Sequence, residues 1–224
     1  MKKFTILFGA MCAVILAFGQ NAKADLFSFD LGIGNSAISG FPGPYASVEV
    51  NRTSNSTATI TFTSLTNGGN IYLLGDGGTA GVNVSGSFTL GAISGSNAGT
   101  GFTPGPYSDG GAGNEDGFGS FNLTINSFDG FTHSSDMVSF DLTGGNWASA
   151  SAVLTANNNG FIAAAHIFVT SSPADASNTA LATGFAGNGG GTVPDGGATA
   201  CLLGLGLAGL AVIRARFGRN LIVG

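Results

Sequence analysis

Three acids lie close together in the segment DGGAGNEDG (109–117), namely Asp109, Glu115 and Asp116. Carboxylate oxygens in a turn-rich segment are ligands that Ca²⁺ prefers. Two glycines occupy positions where an EF-hand carries side-chain oxygens, and the glycine-rich turn occurs once rather than in the stacked copies that bind calcium. The segment is predicted to be a flexible loop, which is either a Ca²⁺ site or a solvated acidic turn. No other cofactor is expected.

The chain has two histidines, His133 and His166. His166 shares a predicted strand face with apolar residues, which favours a hydrogen-bonded core or edge residue over a metal ligand or a general base. His133 lies near two aspartates and two serines, a grouping that a serine-rich chain produces by chance. Nothing in the sequence resembles a nucleophile elbow or a zinc-binding pair of histidines. We therefore expect no enzyme, and cleavage of glycosides by paired carboxylates is the catalytic alternative.

Aromatic composition decides how strongly a sugar-binding surface is indicated. Sugar platforms on β-sandwiches use Trp or Tyr, because these rings combine an apolar face with a polar edge. This chain has 1 Trp, 3 Tyr and 18 Phe, so its aromatic residues favour core packing. A polysaccharide site centred on Trp147 or Tyr107 is the alternative.

Several segments of the body alternate apolar and polar residues, the pattern of half-buried strands. In TATITFTS (57–64) the apolar residues alternate with threonine, and in GSFNLTIN (119–126) Phe121, Leu123 and Ile125 alternate with polar residues. Four more segments repeat the pattern: LFSFDL, SVEVN, GVNVSGSFTL and MVSFDLT. Glycine- and asparagine-rich turns separate them. We therefore predict a mainly β fold, an antiparallel, jelly-roll-like β-sandwich, for residues 25–192.

Two further segments of the body are less regular. FIAAAHIFV (161–169) is apolar on both sides, which suits either a central strand or a buried helix. Its β-branched and aromatic residues favour the strand. WASASAVLTA (147–156) is predicted to contain a short helical turn.

The charge and cysteine content of the body exclude several functions. Arg52 is the only Lys or Arg between residues 25 and 192, whereas acids are spread throughout. Such a body cannot neutralise phosphates, so neither nucleic acid nor an anionic lipid surface is expected as its partner. The two cysteines, Cys12 and Cys201, lie outside the body, which excludes an internal disulfide there.

Residues 1–24 have the organisation of a secretory signal peptide. Lys2 and Lys3 precede an apolar run, and the segment ends in the small residues Ala22 and Ala24 on either side of a lysine. We predict cleavage between Ala24 and Asp25. The protein is therefore expected to be exported.

The end of the chain, residues 193–224, has a different composition from the body. It begins with a turn-prone motif, Val193, Pro194, Asp195, Gly196 and Gly197. An uncharged run from 198 to 213 follows, and then a basic cluster of Arg214, Arg216 and Arg219. The run is predicted to be a transmembrane helix, and the arginines would fix its cytoplasmic end. The last residues, 221–224, have no explanation.

This order of turn motif, apolar helix and basic cluster resembles the PEP-CTERM class of sorting signals, in its VPDSG-like variant. The resemblance implies an exosortase-type protease as partner, in a Gram-negative bacterium. It also implies an inner-membrane precursor that moves to the cell surface or the extracellular space. Pro194 and Asp195 would lie in the recognition motif. The typical Pro-Glu-Pro is replaced here by VPDGG, which leaves the exosortase subtype open.

These observations lead to a non-enzymatic exported protein of the cell surface or extracellular matrix, such as that of a biofilm. The matrix role comes from the family association alone. The alternative is a carbohydrate- or calcium-binding β-sandwich tethered at the membrane. A further alternative leaves the tail uncleaved as a single-span anchor.

Overall fold

A computed structural model describes residues 25–189. The predicted signal peptide, the sorting motif, the transmembrane helix, the arginine cluster and the domain boundary at 192 lie outside the described residues. Within residues 25–189, no helix has the length and apolar character that a membrane span requires.

The described residues form antiparallel strands joined by turns, with two short 3₁₀ turns at Phe131–His133 and Ala150–Ala152. The strands are β1 (Asp25–Leu31), β2 (Ile33–Gly34), β3 (Ala46–Ser54), β4 (Thr57–Ser64), β5 (Thr66–Asn67), β6 (Asn70–Leu74), β7 (Ala80–Val82), β8 (Thr89–Ser96), β9 (Ser108–Glu115), β10 (Gly119–Asn126), β11 (Met137–Thr143), β12 (Ala163–Ser171) and β13 (Ala182–Gly187). The mainly β prediction is confirmed, as are the strand at 161–169 and the helical turn within 147–156.

These strands form two sheets. The five-stranded sheet has the order β1-β3-β4-β11-β8. The eight-stranded sheet has the order β2-β13-β12-β7-β10-β9, with β6 also paired to β12 and β5 paired to β6. The inner faces of both sheets contribute to one large apolar cluster, which fits the predicted β-sandwich. The jelly-roll-like connection stays a prediction.

The alternating pattern of β4 shows how the sequence builds this core. Ala58, Ile60 and Phe62 are buried, whereas the threonines between them are partly exposed. Phe62 and Phe140, on the neighbouring strand β11, stack with ring centroids 6.3 Å apart. A strand whose side chains alternate between core and solvent fixes its own register, because a slip of one residue would expose every apolar group.

The alternation fails in β10, where the prediction for Phe121 is wrong. Leu123 and Ile125 enter the main core, but Phe121 packs with Phe118 and Ala164 in a second, smaller cluster. The pairing of β10 with β9 shifts register between Phe121 and Thr124. A bulge of this kind reverses the side on which the following residues point.

The predicted flexible loop at 109–117 is also wrong. Residues 108–115 form strand β9, which pairs with β10 at the edge of the eight-stranded sheet. Glycine-rich sequence argues against a strand, because glycine loses more conformational freedom than other residues. Here the glycines make room for a neighbour, since a Cβ at Gly110 or Gly113 would collide with the side chain of Thr124.

Candidate functional site

Asp25, the residue predicted to follow the cleaved signal peptide, is fixed at the start of β1. Its Oδ2 accepts a hydrogen bond of 2.6 Å from the backbone N–H of Ala150. The same oxygen lies 3.7 Å from Nε of Arg52, the base opposite it on β3. Asp25 therefore ties the first strand to the 3₁₀ turn at Ala150–Ala152.

The structure separates the three acids of the predicted calcium site. Asp109 and Glu115 lie near opposite ends of β9, roughly 20 Å apart at about 3.3 Å per residue. Oδ1 of Asp109 accepts a hydrogen bond from the N–H of Gly111 at 2.8 Å, and Oδ2 of Asp116 accepts one from Nδ2 of Asn35 at 3.1 Å. Between residues 25 and 189, no group of three or more His, Cys, Asp or Glu side chains is placed to hold a metal ion.

Glu115 is the most unusual of the three acids, because it is 1% exposed. Its carboxyl group lies flat on the outer face of the eight-stranded sheet, where Gly78 and Gly81 leave space for it. Oε2 has no hydrogen-bond partner. Burial away from water disfavours the charged form and raises the pKa of Glu115 to about 8. Glu115 is therefore mainly protonated at neutral pH, a property that nothing in the sequence indicates.

His166, on β12, lies on the same outer face. Its ring stacks on Phe185 at a centroid distance of 4.5 Å and on Phe168 at 5.4 Å. Nε2 lies 2.7 Å from Oγ1 of Thr183. Burial lowers the pKa of His166, and Asp76 and the backbone at Gly77 only partly oppose that effect. The imidazole and the hydroxyl of Thr183 share one hydrogen bond, whose direction depends on the tautomer of the ring.

The line from Thr183 through His166 to Asp76 places a hydroxyl, an imidazole and a carboxylate in the order of a nucleophilic triad. The contact between His166 and Asp76 is too long for a hydrogen bond, because Nδ1 of His166 and Oδ2 of Asp76 are 4.0 Å apart. The other oxygen of Asp76 accepts a hydrogen bond from the N–H of Gly130 at 2.6 Å. No carboxylate is bonded to Nδ1 to orient the imidazole as a triad needs. His166 is hydrogen-bonded, as predicted, and it also stacks on two phenylalanine rings, which the sequence did not indicate.

His133 also has a structural role. Its Nδ1 lies 2.8 Å from the carbonyl oxygens of both Thr103 and Gly105, so this nitrogen carries the proton and donates it. That contact ties the 3₁₀ turn at Phe131–His133 to the loop that precedes β9.

The structure does not bear out a sugar platform centred on Trp147. The side chain is 2% exposed, and its Nε1–H donates to the carbonyl oxygen of Ser85 at 2.8 Å. Tyr107 is partly buried against the core and shares a hydrogen bond with Ser135. Trp147 does not centre a sugar-binding platform because a tryptophan whose N–H finds an internal partner is buried as readily as a phenylalanine.

One comparison with known proteins gave a match. Residues 192–217 match the family model described as the VPDSG-CTERM motif. The chain carries a VPDSG-CTERM motif. This motif is a PEP-CTERM-like sorting signal of exosortase substrates. The match includes the predicted VPDGG turn and the first two arginines, Arg214 and Arg216, and it ends before Arg219.

The VPDSG-CTERM motif implies export and processing by an exosortase. It also implies a location at the surface or outside of a Gram-negative cell. No curated protein and no solved structure shows significant similarity to the chain.

Proposed function

We propose that this chain is a non-enzymatic protein of the cell surface or extracellular matrix, delivered there by exosortase processing of its tail. The VPDSG-CTERM motif at residues 192–217 is the observation that carries the proposal. In this proposal the β-sandwich is the part of the chain that is delivered, and another enzyme recognises the motif and the arginine cluster.

The charge of the body supports this role. Arg52 is the only base among its acids, so copies of the body repel one another and stay soluble outside the cell. The outer face of β4 is polar and free of bases. On it Thr59 donates a hydrogen bond of 2.7 Å to the carboxylate of Asp141, and Thr61 shares one of 3.0 Å with Ser139.

The tail accounts for the two steps before delivery, which are retention in the membrane and cleavage. The uncharged run at 198–213 holds the precursor in the inner membrane, and Arg214, Arg216 and Arg219 keep its end in the cytoplasm. Cleavage near the VPDGG turn then separates the body from the membrane.

Replacing the recognition residues tests this sequence of events. In the native host, the double variant Pro194→Ala, Asp195→Ala is expected to accumulate in the inner membrane, whereas the wild-type protein appears in the outer or extracellular fraction. Cell fractionation with an antibody against the body measures the distribution. The matched control is Asn178→Ala, Thr179→Ala, which changes two exposed residues outside the tail.

The control variant should distribute like the wild type. If the Pro194 and Asp195 variant leaves the inner membrane as efficiently as the control, the VPDGG turn is not what the processing enzyme reads. If wild type and both variants all stay in the inner membrane, the tail is an anchor and the proposal is wrong.

A calcium- or polysaccharide-binding module tethered at the membrane is the other function considered from the sequence. The geometry does not favour it, because the three acids are apart and Trp147 is buried. The stack on His166 also covers one face of Phe168 and one face of Phe185, which reduces the aromatic surface open to a sugar.

A further inference from the structure

The turn between β9 and β10 folds back over the outer face of the eight-stranded sheet. We call residues 115–121 the hairpin tip. The ring of Phe118 occupies the space in which a Cβ at Gly187 of β13 would lie, and the carboxyl of Glu115 occupies that space at Gly81 of β7. The hairpin tip therefore reaches across β12 and forms a third layer on this part of the sandwich.

Beneath the hairpin tip lies the second apolar cluster. Phe118, Phe121 and Ala164 are at most 2% exposed, and Phe161 and Phe185 pack against them. Phe118 and Phe161 meet edge to face with centroids 5.0 Å apart. This cluster shares no residue with the main core, so it can open without unpairing the two sheets.

Glu115 is buried against Gly78 and Gly81, and no Lys or Arg between residues 25 and 189 lies on this sheet to compensate its charge. Arg52, the only Lys or Arg of the described residues, belongs to the five-stranded sheet. The other titratable groups around the hairpin tip are Asp116 within it, Asp76 in the loop before β7, and His166 on β12. Two of these are acids and the third is neutral, so a charge on Glu115 would be buried without compensation.

The hairpin tip also has a hinge and few polar attachments. Register shifts lie between Phe121 and Ile125, where the curled part of the hairpin meets the sheet. Two asparagine side chains anchor the tip from outside. Nδ2 of Asn157 donates to the carbonyl oxygen of Phe118 at 3.0 Å, and Nδ2 of Asn35 donates to Oδ2 of Asp116 at 3.1 Å and to its carbonyl oxygen at 3.4 Å.

We propose that the hairpin tip is a pH-sensitive flap. It stays closed over the sheet while Glu115 is protonated and lifts when Glu115 ionises, which uncovers an aromatic surface made by Phe118, Phe121, Phe161 and Phe185.

The pH range follows from the acid's two environments. The pKa of Glu115 is about 8 in the closed state, against an ordinary value of 4.5 once the carboxyl reaches water. The closed state binds the proton more tightly, so opening becomes easier as the pH rises from about 4.5 to about 8 and changes no further above that. An exported protein meets the pH of its surroundings, so this range is one it can encounter.

Hydrogen exchange of the protein purified from its host tests the flap. After correction for the intrinsic effect of pH, protection of the backbone amides at 115–121 should fall about tenfold per pH unit between pH 5 and 8. In Glu115→Gln it should not depend on pH, because the amide cannot ionise. Binding of an apolar dye should rise over the same pH range in the wild type but not in Glu115→Gln.

The matched control is Asp129→Asn, which removes an exposed acid outside the hairpin tip and should keep the wild-type pH dependence. If Glu115→Gln fails to fold, Glu115→Met, with an apolar side chain of similar length, replaces it. The proposal is overturned if wild-type protection at 115–121 is the same at pH 5 and pH 8. It is also overturned if the variants at Glu115 retain the pH dependence, or if β4 and β11 lose protection together with the tip.

Discussion

At the scale of single residues, the outer face of the eight-stranded sheet contains two ionisable groups that burial keeps neutral. Glu115 holds its proton because water is excluded from it, and His166 lacks one for the same reason. Desolvation always disfavours the charged form, so it moves the pKa of an acid upward and that of a base downward. The two residues therefore make stability depend on pH in opposite directions.

His166 should reduce stability in acid. Its folded-state pKa lies below the ordinary value of 6.5, so its contribution is present above that pH and is lost as the pH falls through the lowered pKa. We expect His166→Phe, whose ring can stack between Phe168 and Phe185, to remove this loss. Urea unfolding of both proteins at pH 7.5 and pH 5 measures it. An equal change in both proteins would mean that the pKa of His166 is the same in the folded and unfolded states.

Asn188 closes the end of the eight-stranded sheet by accepting two backbone hydrogen bonds. Its Oδ1 accepts from the N–H groups of Ile162 and Ala163 at 2.9 and 3.1 Å, and the side chain is 5% exposed. Asn188→Ala should cost about 1–3 kcal/mol, because it leaves buried donors without a partner. The free energy of unfolding measures the cost, with the exposed Asn178→Ala as control. Equal stability of the two variants would show that water replaces the lost acceptor.

Calcium should not stabilise the folded body, because Asp109, Glu115 and Asp116 do not share one site. The wild-type protein is expected to have the same Tm in millimolar CaCl₂ and in a chelator. Differential scanning calorimetry measures this. A clear increase of Tm with calcium would revive the calcium-binding alternative, since a ligand that binds only the folded state must raise Tm.

At the scale of elements, glycines decide where the hairpin tip can lie. A side chain at Gly187 would collide with the ring of Phe118, whereas a side chain at Gly40 would meet nothing within 4 Å. Gly187→Val should therefore displace the tip at a cost of about 1–3 kcal/mol, although valine suits a strand. Gly40→Val is the control.

Dye binding and urea unfolding distinguish the two glycine variants. Gly187→Val is expected to bind an apolar dye at pH 5, where the wild type does not, because the aromatic cluster is uncovered. If Gly187→Val and Gly40→Val behave alike, Phe118 has another place to pack and the hairpin tip is not held by this contact.

The element scale also shows how far the sequence predicts the fold. The strands with regular alternation, such as β4 and β11, were predictable because one face of each meets the core and the other meets water. β9 was not, because its glycines are explained only by side chains of β10 and by the sheet beneath. The burial of Glu115 was unpredictable for the same reason, since the contacts that enclose it come from β7 and its preceding loop.

At the scale of the whole molecule, the sequence was most informative at its ends. A sorting signal is formed by the VPDGG turn, the apolar run and the arginines. Another protein recognises this signal by its sequence, so the signal could be identified from the sequence alone. The body offers no comparable motif. The phenylalanine-rich composition favoured core packing, and the burial of Trp147 agrees with it, but only the structure identifies Ser85 as the partner of its N–H.

The mass of the mature protein tests the central claim most directly. Intact-mass analysis of the native protein from the outer and extracellular fractions of its host should give a chain that starts at Asp25 and ends near the VPDGG turn. That result would place both cleavages where the two terminal signals predict them. A chain that retains Arg214 to Gly224 and is found in the inner membrane would contradict exosortase processing and leave the β-sandwich tethered by its tail.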